Sequence, residues 1–135
     1  MLSLKTCLIN IANWIKGVDD YIIERGVSGI WNYEKYKSGI VKCYGVTDPL
    51  SSGALTKSQS IYYSHVLNVA TIPTWLSTPS YINATMTNAD SVGWVSKVDY
   101  FDSDRGIHCV VEREQPSSFH FQMFISLIGT WGATN

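Results

Sequence analysis

The sequence predicts a mostly β protein: an antiparallel β-sandwich preceded by a short N-terminal helix and assembled as a trimer. Three observations carry that expectation. Residues 1–23 repeat apolar side chains at helical spacing. From Gly26 onward that period gives way to short alternating segments bounded by Gly, Pro, Ser, Asn and Asp. The chain of 135 residues has room for one hydrophobic core and not two, and a domain of this size buries roughly two thirds of its unfolded surface without needing disulfide or metal staples.

In the first segment Leu4, Leu8, Ile11, Ile15, Val18 and Ile22 are spaced 4, 3, 4, 3 and 4 apart. This is the seam of a coiled coil, with Leu8, Ile15 and Ile22 at a and Leu4, Ile11 and Val18 at d. β-branched residues at both positions favour three strands over two, so Leu4, Leu8, Ile11 and Ile15 are the candidate trimer interface. Fewer than three heptads are present, and Gly17 costs a helix interior about 1 kcal/mol relative to Ala. The stripe, widened by Cys7, Trp14 and Tyr21, serves either as a trimeric stem or as a helix packed on its own β domain. The division is therefore a stem over residues 1–25 and a head over residues 26–135.

In the head, residues 31–36 and 40–44 flank Lys37-Ser38-Gly39 and read as a hairpin. Residues 51–60 read as a polar loop. Further strands are expected at 61–68, 81–87, 93–101, 107–113 and 118–128. Ile61, Tyr63, His65 and Leu67 are assigned to one face, as are Val92, Trp94, Val98 and Tyr100, and likewise Phe119, Phe121, Met123, Ile125 and Leu127. Residues 102–106 and 112–118 read as turns. Pro73 and Pro79 make 71–80 a connection rather than a strand, with Trp75 and Leu76 either tucked beneath the sheets or presented to a partner. Six or seven such strands with turns between them favour a sandwich over a parallel sheet.

Charged residues make up 16% of the chain against a usual ~25%, while aromatics reach 13%. Ten Lys and Arg oppose eleven Asp and Glu with no block of like charge, so no field draws the protein to phosphate backbones and nucleic acid is not expected as a partner. No apolar run reaches the ~18 residues of a membrane-spanning helix. Cys7, Cys43 and Cys109 are odd in number and far apart, which argues for reduced thiols and a bacterial-type cytosol as the place of folding.

No catalytic motif is evident. There is no nucleophile elbow, and His108 and Cys109 are adjacent in a strand, so they point to opposite faces. His65, His108 and His120 lack zinc-ligand spacing. Asp99, Asp102 and Asp104 surround one turn but lack the calcium-loop pattern, and turn geometry alone explains them. Asn83-Ala84-Thr85 matches a glycosylation acceptor without a secretion signal beside it. No cofactor is expected. The positive signal is aromatic surplus with low charge: rings stack on sugars while nearby carboxylates and amides bond hydroxyls. The candidates are Trp75 between its prolines, and Tyr100 beside Asp99 and Asp102.

Residues 29–45, Gly-Ile-Trp-Asn-Tyr-Glu-Lys-Tyr-Lys-Ser-Gly-Ile-Val-Lys-Cys-Tyr-Gly, resemble the motif that opens the C-terminal domain of many phage and prophage tail-fibre proteins of Gram-positive hosts. The ending Ile125-Ser126-Leu127-Ile128-Gly129-Thr130-Trp131 is similar to that family's closing Gly-x-Trp strand. Tyr36 and Tyr44 stand where the family's first motif has Trp, and Val41-Lys42 replaces a small-plus-acidic pair; the alternation is kept. The resemblance implies a trimer of sandwiches similar to H-type lectins, housed in a virion tail among other tail proteins and binding a host cell-surface polysaccharide. It assigns no ligand-contacting residue. A purely structural virion or appendage protein and a small depolymerase are the alternatives, and the expectation is a protein that is not an enzyme.

Overall fold

Alternation along the last strand shows how this sequence makes a core. Phe119, Phe121, Met123, Ile125 and Leu127 are buried, while the residues between them face away; burying every second side chain is what a strand with one covered face requires. The computed structural model describes residues 3–5, 8 and 20–131. In chain order its strands are β1 (Ile22–Ser28), β2 (Trp31–Tyr36), β3 (Ile40–Val46), β4 (Leu50–Ser51), β5 (Leu55–Ser58) and β6 (Ile61–Ser64). They continue as β7 (Leu67–Thr71), β8 (Tyr81–Thr87), β9 (Trp94–Phe101), β10 (Gly106–Arg113) and β11 (His120–Thr130).

These form two antiparallel sheets. In the first, β1, β2, β3 and β11 follow one another; the start of β11 pairs with the short β4 and its other side with β8. In the second, β10 is central, with β6 and β7 sharing one flank, β5 beyond β6, and β9 on the other flank. Val41, Cys43, Met123, Ile125 and Leu127 from the first sheet and Ile107, Cys109 and Val111 from the second belong to one core, as do Trp31, Ile72 and Leu76. Two antiparallel sheets sharing one core are compatible with a β-sandwich. Among the described residues, no helix is long and apolar enough to cross a membrane.

The hairpin about Lys37-Ser38-Gly39 is present, with Lys35 paired to Val41 and Gly39 at φ +94°. So is the turn after Phe101, which pairs with Gly106. Thr71 ends β7, and residues 72–80 contain no strand beyond an isolated bridge from Leu76 to Trp131; Leu76 is buried.

Four expectations need correction. The expected stem boundary at residue 25 runs into a strand: Ile22 to Arg25 lie in β1, which pairs with β2 across a two-residue turn carrying Gly29 at φ +59°. Ile22 is thus a strand residue and not a heptad position. No helical element is present among the described residues, where only Leu4, Lys5 and Leu8 have helical backbone. Leu4 and Leu8 are exposed; Ile11, Ile15 and Val18 lie outside the described residues, as does Cys7.

Second, the supposed loop 51–60 contains β5, which forms a hairpin with β6. Its side chains are mostly exposed polar groups on an edge, so no apolar alternation marks it. Third, 61–68 is two strands interrupted at His65-Val66, and the covered residue of β6 is Ser64, leaving Tyr63 and His65 exposed. The Ser64 hydroxyl accepts the Val111 amide at 3.0 Å and donates to the His65 carbonyl, so this buried hydroxyl ties the break to β10.

Fourth, Trp94 does not share a face with Val98 and Tyr100. The register of β9 against β10 shifts between Val95 and Lys97, and the extra residue reverses the parity. Val95 turns inward with Val98 and Tyr100, and Trp94 turns out to donate its indole N–H to Glu112 at 2.9 Å.

Candidate functional site

The residues singled out from the sequence do not converge. The Trp75 ring is half-buried, packing edge-on against Tyr33 with centroids 4.9 Å apart, and the Lys35 ammonium lies 4.6 Å from its centre. Tyr100 packs against the core, and its hydroxyl is buried with no hydrogen-bond partner. Burial raises that phenol above its ordinary range, and the Asp102 carboxylate acts in the same direction. Asp99 pairs with Lys97 at 3.1 Å, and Asp102 accepts a bond from Thr78 at 3.1 Å.

Asp104 bonds His108 at 2.8 Å, Asn68 at 3.1 Å and the Gly106 amide at 2.8 Å. Burial opposes ionisation there, but the His108 and Gly106 bonds outweigh it and hold the carboxyl below its usual value. The three aspartates of this turn are thus committed to different partners, and among the described residues no three His, Cys, Asp or Glu come together as metal ligands. Cys43 and Cys109 are buried, and burial pushes each thiol up to about 11. His108 bonds Asp104 and His120 bonds Asp90; both imidazoles pair with carboxylates.

An aromatic pair open to solvent lies elsewhere, on the outer face of the first sheet. In β3, inward Val41, Cys43 and Gly45 leave Lys42, Tyr44 and Val46 outward; in β8, inward Ile82, Ala84 and Met86 leave Tyr81 and Asn83 outward. Strand β11 runs between them. Tyr44 is opposite Ser126, which is opposite Asn83; Lys42 is opposite Ile128, which is opposite Tyr81.

The small Ser126 leaves a shallow cavity of about 260 Å³ bounded by Tyr44, Tyr81, Ser126, Ile128, Glu34 and Lys42. Tyr44 is 42% and Tyr81 52% exposed, so both rings have faces and hydroxyls available. Glu34 adds an acceptor and Lys42 a donor. A wider groove of about 420 Å³ opens where the β1–β2 turn meets Thr47, Asp48 and Thr71. Its one tryptophan, Trp31, is 2% exposed and donates its indole N–H to the Thr71 carbonyl, so it offers no ring to a ligand.

The sequence reading singles out Trp75 between two prolines and Tyr100 beside two aspartates, and passes over Tyr44 and Tyr81. The available signal was parity: an aromatic in the solvent phase of an alternating strand. No protein-family model matches the chain, and no curated protein and no solved structure matches it either.

Proposed function

We propose that this chain is the receptor-binding head of a phage tail fibre, a homotrimer of H-type-lectin-like sandwiches that binds a bacterial cell-surface polysaccharide without cleaving it. The observation that carries the proposal is the cavity between Tyr44 and Tyr81, where two exposed rings flank a small residue with Glu34 and Lys42 at hand. A pyranose stacks its apolar face on a tyrosine while its hydroxyls bond the carboxylate, ammonium and Ser126 hydroxyl. The exposed Leu4 and Leu8 support the seam as a surface kept for other copies, and trivalent display raises a weak affinity by about 10²- to 10⁴-fold.

A glycan array probed with the trimer tests the proposal. Binding should be selective for a surface polysaccharide and weak for an isolated head, on the order of millimolar to high micromolar, and Tyr44→Ala and Tyr81→Ala should each abolish it with the trimer intact. Light scattering returning a 15.1 kDa monomer at tens of micromolar refutes the trimer. Exposed Ile40, Val46 and Phe124 on the same face favour a second reading, a purely structural component that docks another protein there. A blank array with a full-strength trimer selects that reading.

A further inference from the structure

The C-terminal end of β10 holds a charge that the neighbouring side chains do not balance. Arg113 is 4% exposed, and its guanidinium meets only neutral acceptors. Nη1 donates to the Ser117 carbonyl at 2.8 Å and to the Ser117 hydroxyl at 3.4 Å. Nη2 donates to the Ser91 hydroxyl and to the Gln115 side-chain carbonyl, the latter at 3.2 Å. Nε has no acceptor, and the group lies 5.0 Å from the centre of the Phe119 ring. Among the described residues no carboxylate forms an ion pair with it. Glu112, its neighbour in sequence, is turned to Trp94.

A buried charge is ordinarily paired, because dipoles and a ring face lower its cost without cancelling it. Beside Arg113 is a cavity of about 240 Å³, bounded by Ser91, Val92, Glu114 and Gln115 as well as Arg113 itself. Ser91 and Gln115 both accept from the guanidinium through oxygen, which leaves the Ser91 hydroxyl proton and the Gln115 amide protons to donate elsewhere. The lining therefore joins a cation without a counter-ion to two donors polarised by it.

We propose that this cavity binds an oxyanion group, a carboxylate or a phosphate or sulfate ester, as the counter-ion of Arg113. The four Nη hydrogens are already given to Ser117, Ser91 and Gln115, so the Arg113 charge attracts the anion while the Ser91 hydroxyl and the Gln115 amide donate the bonds to it. Glu114 on the rim opposes the anion and favours a compact group over an extended polyanion. The site shares no residue with the Tyr44–Tyr81 cavity, so it stands or falls independently of the glycan proposal.

Thermal unfolding of the whole protein in acetate, phosphate or sulfate, each compared with chloride at equal ionic strength and pH, tests the proposal. At ten times its Kd a specific anion should raise Tm by about 5 °C, and the rise should continue with the logarithm of anion concentration. A rise with acetate alone identifies the carboxylate class, and a rise with phosphate or sulfate that Gln115→Glu abolishes identifies the ester class, since the general stabilisation by these two salts persists in that variant. Gln115→Glu builds a carboxylate in beside Nη2; it should raise Tm in chloride and remove the response to added anion, while Glu114→Gln should strengthen that response. No anion outperforming chloride overturns the proposal, and so does a Gln115→Glu variant that responds like the wild type.

Discussion

Lys35→Met should destabilise the domain by about 2 kcal/mol, because it removes a cation enclosed by three rings. The Lys35 ammonium lies 4.6 Å from the centre of Trp75, 5.1 Å from Trp131 and 5.3 Å from Tyr33, and 3.2 Å from a Glu24 carboxylate oxygen. Its side chain is 16% exposed, which places the cation–π attraction nearer the ~2 kcal/mol of desolvated pairs than the ~0.5–1 of exposed ones. The rings share one charge, so they do not contribute three times over. Glu24 is half exposed, so solvent screens its ion pair and it adds little. Methionine keeps the apolar stem, so the loss reports the charge.

Urea unfolding followed by tryptophan fluorescence should show a midpoint lower by about 1 M at an m-value near 2 kcal/mol/M. Most of the loss should survive 1 M salt, which screens the Glu24 pair far more than the buried ring contacts. The Glu24 carboxyl is held below its ordinary value first by the Tyr33 hydroxyl and then by Lys35. Its contribution is therefore full above the unfolded value of 4.5 and disappears as pH falls through the lowered folded value, so the gap between variant and parent should narrow in that range. A double-mutant cycle with Trp75→Leu should return a coupling of about 1 kcal/mol. A Lys35→Met variant within ~0.5 kcal/mol of the parent, where most exposed substitutions fall, refutes the cage.

Two further outcomes follow from the interior. With both thiols raised to about 11 by burial, Cys43 and Cys109 should resist Ellman's reagent at pH 8 in a Cys7→Ser background and react only as the protein unfolds; stoichiometric labelling within minutes contradicts their placement. An added methyl at Gly45 would overlap the Ile30 carbonyl oxygen, whereas Gly29, at φ +59°, has open space around it. Gly45→Ala should therefore cost about 3 kcal/mol and Gly29→Ala about 1–2, and urea midpoints in the reverse order exclude this register of β1, β2 and β3.

How much was legible depended on whether parity survived along each strand. In β11 it does, and Phe119 to Leu127 announced the core directly. The Lys37-Ser38-Gly39 hairpin was equally plain, since Gly39 adopts the positive φ such a loop needs. Parity fails at Ser96, where one extra residue against β10 puts Trp94 outside and Val95 inside, and at His65-Val66, where a broken strand puts Ser64 in the core and His65 outside. Neither break is coded by Gly or Pro, and each is held by pairing with β10, a distant segment that alternation alone does not choose. The same limit hid the candidate site. Tyr44 and Tyr81 each read as outward residues of separate strands, but only the order β3, β11, β8 brings them to one cavity, diagonally across Ser126 and Ile128. The core reports what each strand does alone, while the site depends on which strands pair. Trp75, singled out between its prolines, packs on Tyr33 beside the Lys35 ammonium, the tucked one of the two readings its loop allowed, and the open rings lie on a face whose individual strands look ordinary.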